Sequence, residues 1–139
     1  MRHVVVAFVL FLVYQNTGAA QEDRIKKDLA ALQGVWKVES AVAGGEKIPA
    51  EQQAKMGFTF KGNELIPADN PKDVAVVKLD PGQKPAAIDL TEKNKKTSLG
   101  IYEIDGDTLK VCFDGKKRPT EFKSPPGSEN FVNVHKRVK

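Results

Sequence analysis

The segment LGIYEIDGDTLKVCF, residues 99–113, carries the strongest fold signal in the sequence. Apolar and polar residues alternate on both sides of an Asp-Gly-Asp turn at 105–107. This pattern is typical of two antiparallel strands joined by a tight turn, because glycine accepts the positive φ that such a turn needs. We therefore expect strands over 98–104 and 108–113. The residues expected to face inward are Tyr102, Ile104, Leu109, Val111 and Phe113.

Short strands of the same kind are predicted before and after this hairpin, separated by turns rich in glycine, proline and asparagine. They cover residues 35–42, 56–61, 64–66, 74–79, 86–91, 120–123 and 131–138. Sequential antiparallel strands with one apolar face must bury that face against other strands, and a closed barrel also removes the exposed sheet edges. The sequence therefore predicts an all-β fold, a small antiparallel up-and-down barrel of about eight strands. A two-sheet sandwich is the alternative.

A short helix is predicted over residues 21–33, because Ile25, Leu29 and Leu32 recur at spacings of four and three. Gly34 is placed to end this helix. The apolar period then changes to two, which indicates the first strand. One face of that strand is expected to hold Trp36, Val38, Ser40 and Val42.

Residues 1–20 have the layout of a secretory signal peptide, with a basic start, an apolar run over 4–14 and a small-residue end at Ala20. As a helix, the apolar run would rise about 16 Å, roughly half of a hydrocarbon core, so a retained membrane anchor is the less favoured alternative. We expect cleavage after Ala20, no stable membrane anchor afterwards, and one domain over 21–139 in an extracytoplasmic compartment, periplasmic or secreted.

The composition limits the classes of function. Cys112 is the one cysteine, so an internal disulfide is excluded, and its apolar strand favours a buried thiol over a nucleophile. The formal net charge of +4 is spread over many short stretches without an interleaved aromatic stripe. Nucleic-acid binding is therefore not predicted.

Two stretches carry a resemblance to known proteins. A helix that runs into Gly34-x-Trp36 resembles the opening of lipocalins and related calycin barrels. Residues 99–113, together with 118–123 and 126–128, closely resemble an uncharacterised paralogous family of exported planctomycete proteins with a lipocalin-like domain. The resemblance covers nearly all of the mature chain, and it implies a fold and a compartment rather than a reaction.

The resemblance to lipocalins also implies a structural floor for the barrel. In that family the first-strand tryptophan packs at the closed end against a basic residue of the last strand. Here Gly34 and Trp36 match the opening, and Arg137 is the expected partner, with Lys136 and His135 as alternatives. A planar guanidinium stacks well on an indole ring. The chain is shorter than typical lipocalins and lacks their disulfide, which argues against a large ligand cavity.

No cofactor, metal site or catalytic residue is predicted. His135 is the single histidine after residue 20, and metal sites need clustered ligands. Asp105 and Asp107 are interpreted as turn residues. Glu103 and Glu121 are the pair to consider for glycoside hydrolysis, although exposed strand positions are the favoured interpretation. A hydrolase is thus a low-ranked alternative.

The sequence places a candidate ligand site at the barrel mouth, opposite the floor. Arg118 is expected to anchor an anionic head group with the hydroxyl of Thr120, while Tyr102 and Phe122 contact the apolar part. The other interpretation, which the residues of this segment favour, is a cross-strand ion pair of Arg118 with Glu121 or a neighbour at a rim loop.

The leading functional hypothesis is a non-catalytic lipocalin-like module that binds a small apolar or amphipathic ligand. The alternative is an interaction domain for envelope proteins or polysaccharide, with a filled barrel. A ligand binder needs a mostly apolar cavity of roughly 300 Å³ or more, and a filled barrel lacks one. No particular protein partner is predicted.

Overall fold

The computed structural model describes residues 17–139, which form two helices and nine strands. The helices are α1 (Thr17–Leu32) and α2 (Ala50–Gln53). The strands are β1 (Gly34–Ala43), β2 (Glu46–Lys47), β3 (Phe58–Lys61), β4 (Glu64–Pro67), β5 (Ala75–Asp80), β6 (Ala87–Thr91), β7 (Thr97–Asp105), β8 (Thr108–Asp114) and β9 (Phe131–Arg137).

The sheet closes into a barrel. Each strand from β3 to β8 pairs antiparallel with the next one in the chain, and β9 returns to pair with β1 along almost its whole length. β1 also pairs with β3, and the two-residue β2 lies beside the far half of β1. The structure is therefore an eight-strand up-and-down barrel with one extra short strand. The predicted barrel is confirmed, and the sandwich is excluded.

The predicted hairpin is present as β7 and β8, with a turn one residue shorter than expected. Asp105 pairs with Thr108 and Ile104 pairs with Leu109, so the turn consists of two residues, Gly106 and Asp107. Gly106 has a φ of 57°, the left-handed conformation that glycine adopts without steric strain.

α1 begins earlier than predicted and ends one residue sooner, at Leu32. Gly34 has a φ of 116° and is already the first residue of β1. The predicted signal peptide lies mostly outside the described residues, and its last four residues, 17–20, form the first turn of α1. Within residues 17–139, no helix combines the length and apolarity needed to cross a membrane.

Two local predictions are wrong. A β-bulge interrupts β1 between Val38 and Ser40, so the expected alternation shifts by one residue. Ala41 then lies opposite the inward-facing Asn133 and is fully buried, in place of Ser40.

The predicted strand over 120–123 is not formed, and these residues are irregular. The segment between β8 and β9 crosses the outside of the barrel wall instead. There it covers outward-facing residues, among them Cys112.

The closed end is built around Trp36, which is 1 % exposed. Its indole Nε1 donates a hydrogen bond of 2.8 Å to the Leu32 carbonyl at the end of α1. The Arg137 guanidinium carbon lies 4.3 Å from the centroid of the Trp36 ring. Arg137 also donates to the carbonyls of Ala31 and Gln33, where a helix leaves acceptors without intrahelical partners. The expected stacking is present, and Arg137 rather than Lys136 makes it.

Candidate functional site

The barrel interior contains a cavity of about 280 Å³. It runs from the middle of the barrel to the end opposite Trp36, since its lining includes the strand residues farthest from Trp36, such as Pro67, Leu90 and Phe131. Its wall is largely apolar and rich in phenylalanine. The lining consists of Lys55, Met56, Gly57, Phe58, Phe60, Leu65, Pro67, Asp69, Ile88, Leu90, Leu109, Val111, Phe113, Phe131, Asn133 and His135.

One glycine shapes this wall. Gly100 on β7 pairs directly with Phe113 on β8. A Cβ atom at Gly100 would lie 2.5 Å from the Phe113 ring, well inside van der Waals contact. Glycine at this position therefore lets the Phe113 ring lie across β7 as part of the cavity lining.

Two polar side chains of β9 face the cavity. Asn133 is 6 % exposed and His135 is 1 % exposed. They are two residues apart and therefore lie on the same face of the strand. Their cross-strand partners on β8 are Val111 and Leu109, which also line the cavity. An amide and an imidazole are thus held deep in an otherwise apolar wall.

These two side chains have unsatisfied hydrogen-bonding atoms. Across the described residues, no protein group hydrogen bonds to Oδ1 of Asn133 or to either ring nitrogen of His135. Buried polar groups in native proteins almost always have a partner, because leaving one unpaired costs about 1–3 kcal/mol. All three atoms belong to side chains of β9 that line the cavity.

The imidazole of His135 is fixed in orientation and neutral. Its ring centroid lies 4.6 Å from that of Phe58 at an interplanar angle of 65°, and Phe58 packs edge-on against Phe60 at 5.1 Å. Burial lowers the pKa of His135 to about 4. At neutral pH the ring therefore offers one N–H donor and one acceptor nitrogen.

The structure places Arg118 on the outer side of the wall, away from this cavity. Its Nη2 lies 2.7 Å from Oδ1 of Asp89, and its Nη1 donates to the Gly100 carbonyl at 2.7 Å. The ion-pair alternative therefore describes its contacts, with Asp89 as the partner instead of Glu121. Thr120 is exposed on the same crossing segment.

Tyr102 and Phe122 lie together in a second place. Both line a groove of about 500 Å³ beside α1 at the closed end. The Tyr102 hydroxyl donates to Oδ2 of Asp28 at 2.6 Å, and burial together with this bond raises the pKa of the phenol. Arg118, Thr120, Tyr102 and Phe122 were expected together at the barrel mouth. The structure brings together only Tyr102 and Phe122, and it places them at the closed end near α1.

The candidate catalytic groups are dispersed. Glu103 is exposed, and the exposed Glu121 lies 3.6 Å from the ammonium of Lys123. Cys112 is buried against the crossing segment, and burial raises the pKa of its thiol. No group of three or more histidine, cysteine or acidic side chains within residues 17–139 is arranged to hold a metal ion.

Comparisons of the chain with models of protein families, with curated proteins and with solved structures give no significant match.

Sequence reasoning missed Asn133 as a site residue and considered His135 only as an alternative partner of Trp36 at the barrel floor. The signal was present in the order of residues along β9. Once Arg137 is assigned inward against Trp36, a period of two places His135, Asn133 and Phe131 inward as well.

Proposed function

We propose that this protein is a non-catalytic, lipocalin-like binding module that holds a small apolar or amphipathic ligand inside its barrel. The observation that carries the proposal is the cavity of about 280 Å³ with the unsatisfied atoms of Asn133 and His135 in its wall. Ligand sites in proteins are largely apolar cavities with a few placed polar groups, and volumes near 300 Å³ are at the small end of that class. The barrel fold is compatible with such a module.

The same cavity favours ligand binding over the interaction domain with a filled barrel. A barrel of about eight strands is just wide enough for side chains to fill it. Here the inward-facing Phe58, Phe60 and Phe113 line the cavity and leave it unfilled. The buried polar groups of the lining are an amide and an imidazole, and its acidic side chain, Asp69, is exposed.

The extracytoplasmic location remains part of the proposal and rests on the sequence of residues 1–20. The contacts of α1 are consistent with cleavage after Ala20. Gln21 donates to Asp80 at 2.9 Å and Arg24 donates to the Pro81 carbonyl at 2.8 Å, and both follow the cleavage position. A mature chain would therefore keep the part of α1 that holds it to the barrel.

A matched pair of substitutions tests the site. Val111 is 4 % exposed and lines the cavity, whereas Val76 is 49 % exposed on the outside of β5. Val111→Phe should fill the cavity and remove the ligand-dependent rise in melting temperature that propylbenzene or hydrocinnamyl alcohol gives with the wild type. Val76→Phe should keep that rise. Equal ligand shifts in the two variants would place binding elsewhere and contradict the proposal.

A further inference from the structure

We propose that the ligand is uncharged and carries one polar group that both donates and accepts a hydrogen bond, such as a hydroxyl or a primary amide. This rests on the proposed function and names the chemical class that the cavity selects. The group would bind between Asn133 and His135, and the apolar remainder would extend toward the mouth.

The spacing of the two side chains fits a single polar group. Alternate residues of a strand are roughly 6.6 Å apart along the chain and point to the same side. Asn133 offers an unpartnered carbonyl oxygen, and His135 offers two unpartnered ring nitrogens, one of them protonated in the neutral ring. A hydroxyl between them can donate to one acceptor and accept from the imidazole N–H, and a primary amide has a second N–H for the other acceptor, whereas a hydrocarbon leaves all of these atoms unpaired.

The charges around the cavity disfavour an ionic head group. Among the lining residues, the charged ones are Lys55 and Asp69, which have opposite sign and are both exposed at the mouth. Arg118 pairs with Asp89 on the outer side of the wall, and Arg137 is bound to the end of α1 and to Asp107. An anion or a cation beside His135 would lose its hydration without meeting an opposite charge, which is strongly unfavourable.

The size and shape of the cavity limit the apolar part. An engineered cavity of about 150 Å³ binds benzene, and the cavity here, about 280 Å³, is roughly twice that volume. Phe58, Phe60, Phe113 and Phe131 supply flat walls, which pack well against an aromatic ring. The ligand class is therefore a monocyclic or short-chain compound with roughly twice as many non-hydrogen atoms as benzene.

A series of compounds with one frame and different head groups tests this class. Hydrocinnamamide, hydrocinnamyl alcohol, hydrocinnamate and propylbenzene are titrated calorimetrically into the wild-type protein and into Asn133→Leu. The amide and the alcohol should bind about tenfold or more tightly than hydrocinnamate. Asn133→Leu should weaken the amide by about three- to tenfold and leave propylbenzene unchanged or tighter.

If Asn133→Leu folds poorly, nuclear magnetic resonance of the His135 imidazole provides a second test that does not need this variant. The chain has two histidines, so His3→Gln leaves His135 as the single imidazole. Its ring ¹⁵N shifts should move with hydrocinnamamide toward one fixed tautomer and stay unchanged with propylbenzene.

The outcomes separate the two proposals. If hydrocinnamate or propylbenzene binds as tightly as the amide, the ligand class is wrong, while binding in the barrel still stands. The same holds if the amide binds without moving the His135 shifts. If no member of the series binds, both proposals fall.

Discussion

Replacing Asn133 by leucine is expected to make the unliganded protein more stable. The side chain is 6 % exposed and its Oδ1 has no hydrogen-bond partner in the described part of the chain. An unpaired buried amide costs about 1–3 kcal/mol, and leucine has a similar volume without polar atoms. We therefore expect Asn133→Leu to raise the free energy of unfolding by about 1–2 kcal/mol, although most core substitutions lower it.

Urea denaturation measured by the fluorescence of Trp36, the single tryptophan, gives this free energy directly. Asn130→Leu is the matched control, because the Asn130 amide donates to the Lys123 carbonyl at 3.1 Å. That variant should lose about 0.5–1.5 kcal/mol with its hydrogen bond. If Asn133→Leu loses as much as the control, Asn133 is satisfied in the folded protein, and the proposal that its side chain binds a polar group of the ligand is refuted.

Four further predictions follow from other parts of the molecule. Burial lowers the pKa of His135 to about 4 from an ordinary 6.5, so the unfolded chain binds its proton first as the pH falls. Stability should therefore decrease from about pH 6.5 toward pH 4, by up to roughly 3 kcal/mol, and urea titrations at stepped pH should show a smaller decrease for His135→Phe. Trp36→Ala should cost about 3–5 kcal/mol and Arg137→Met about 1–3 kcal/mol in urea titrations followed by circular dichroism, since Trp36→Ala removes the fluorophore; no change in either free energy of unfolding would contradict the packing described for the closed end. Arg118→Ala should leave the calorimetric affinity for hydrocinnamyl alcohol unchanged, since its guanidinium lies outside the cavity, and a clear loss of affinity would restore the site predicted from the sequence. The intact mass of the exported protein should correspond to a chain that begins after Ala20, and a full-length cytoplasmic form as the main species would contradict export.

The barrel was predictable because its determinants are local. The Asp-Gly-Asp turn and the alternation in residues 99–113 specify the hairpin, and short turns elsewhere leave little freedom in strand order. The packing of Trp36 against Arg137 was expected from the resemblance to lipocalins, and the two residues pair directly between β1 and β9.

The site was less predictable because it depends on barrel closure and on which face each residue takes. The bulge after Val38 turns Ala41 toward the barrel interior. The sequence has no turn-forming residue at this point that would predict the bulge. Arg118 was predicted to anchor a ligand because it follows a turn and no partner for its charge is evident from the sequence. Its partner Asp89 is on β6 and becomes its neighbour only when the crossing segment folds over the outside of the wall. A polar residue in a predicted strand does not itself reveal whether it faces water or a cavity.

The most direct test of ligand binding inside the barrel is to locate a bound compound by nuclear Overhauser contacts. With saturating hydrocinnamyl alcohol, the ring protons of the ligand should contact Phe58 and Val111, and its hydroxymethyl protons should contact the imidazole of His135. Contacts confined to Tyr102 and Phe122, in the groove beside α1, or no contacts at all, would contradict the central claim.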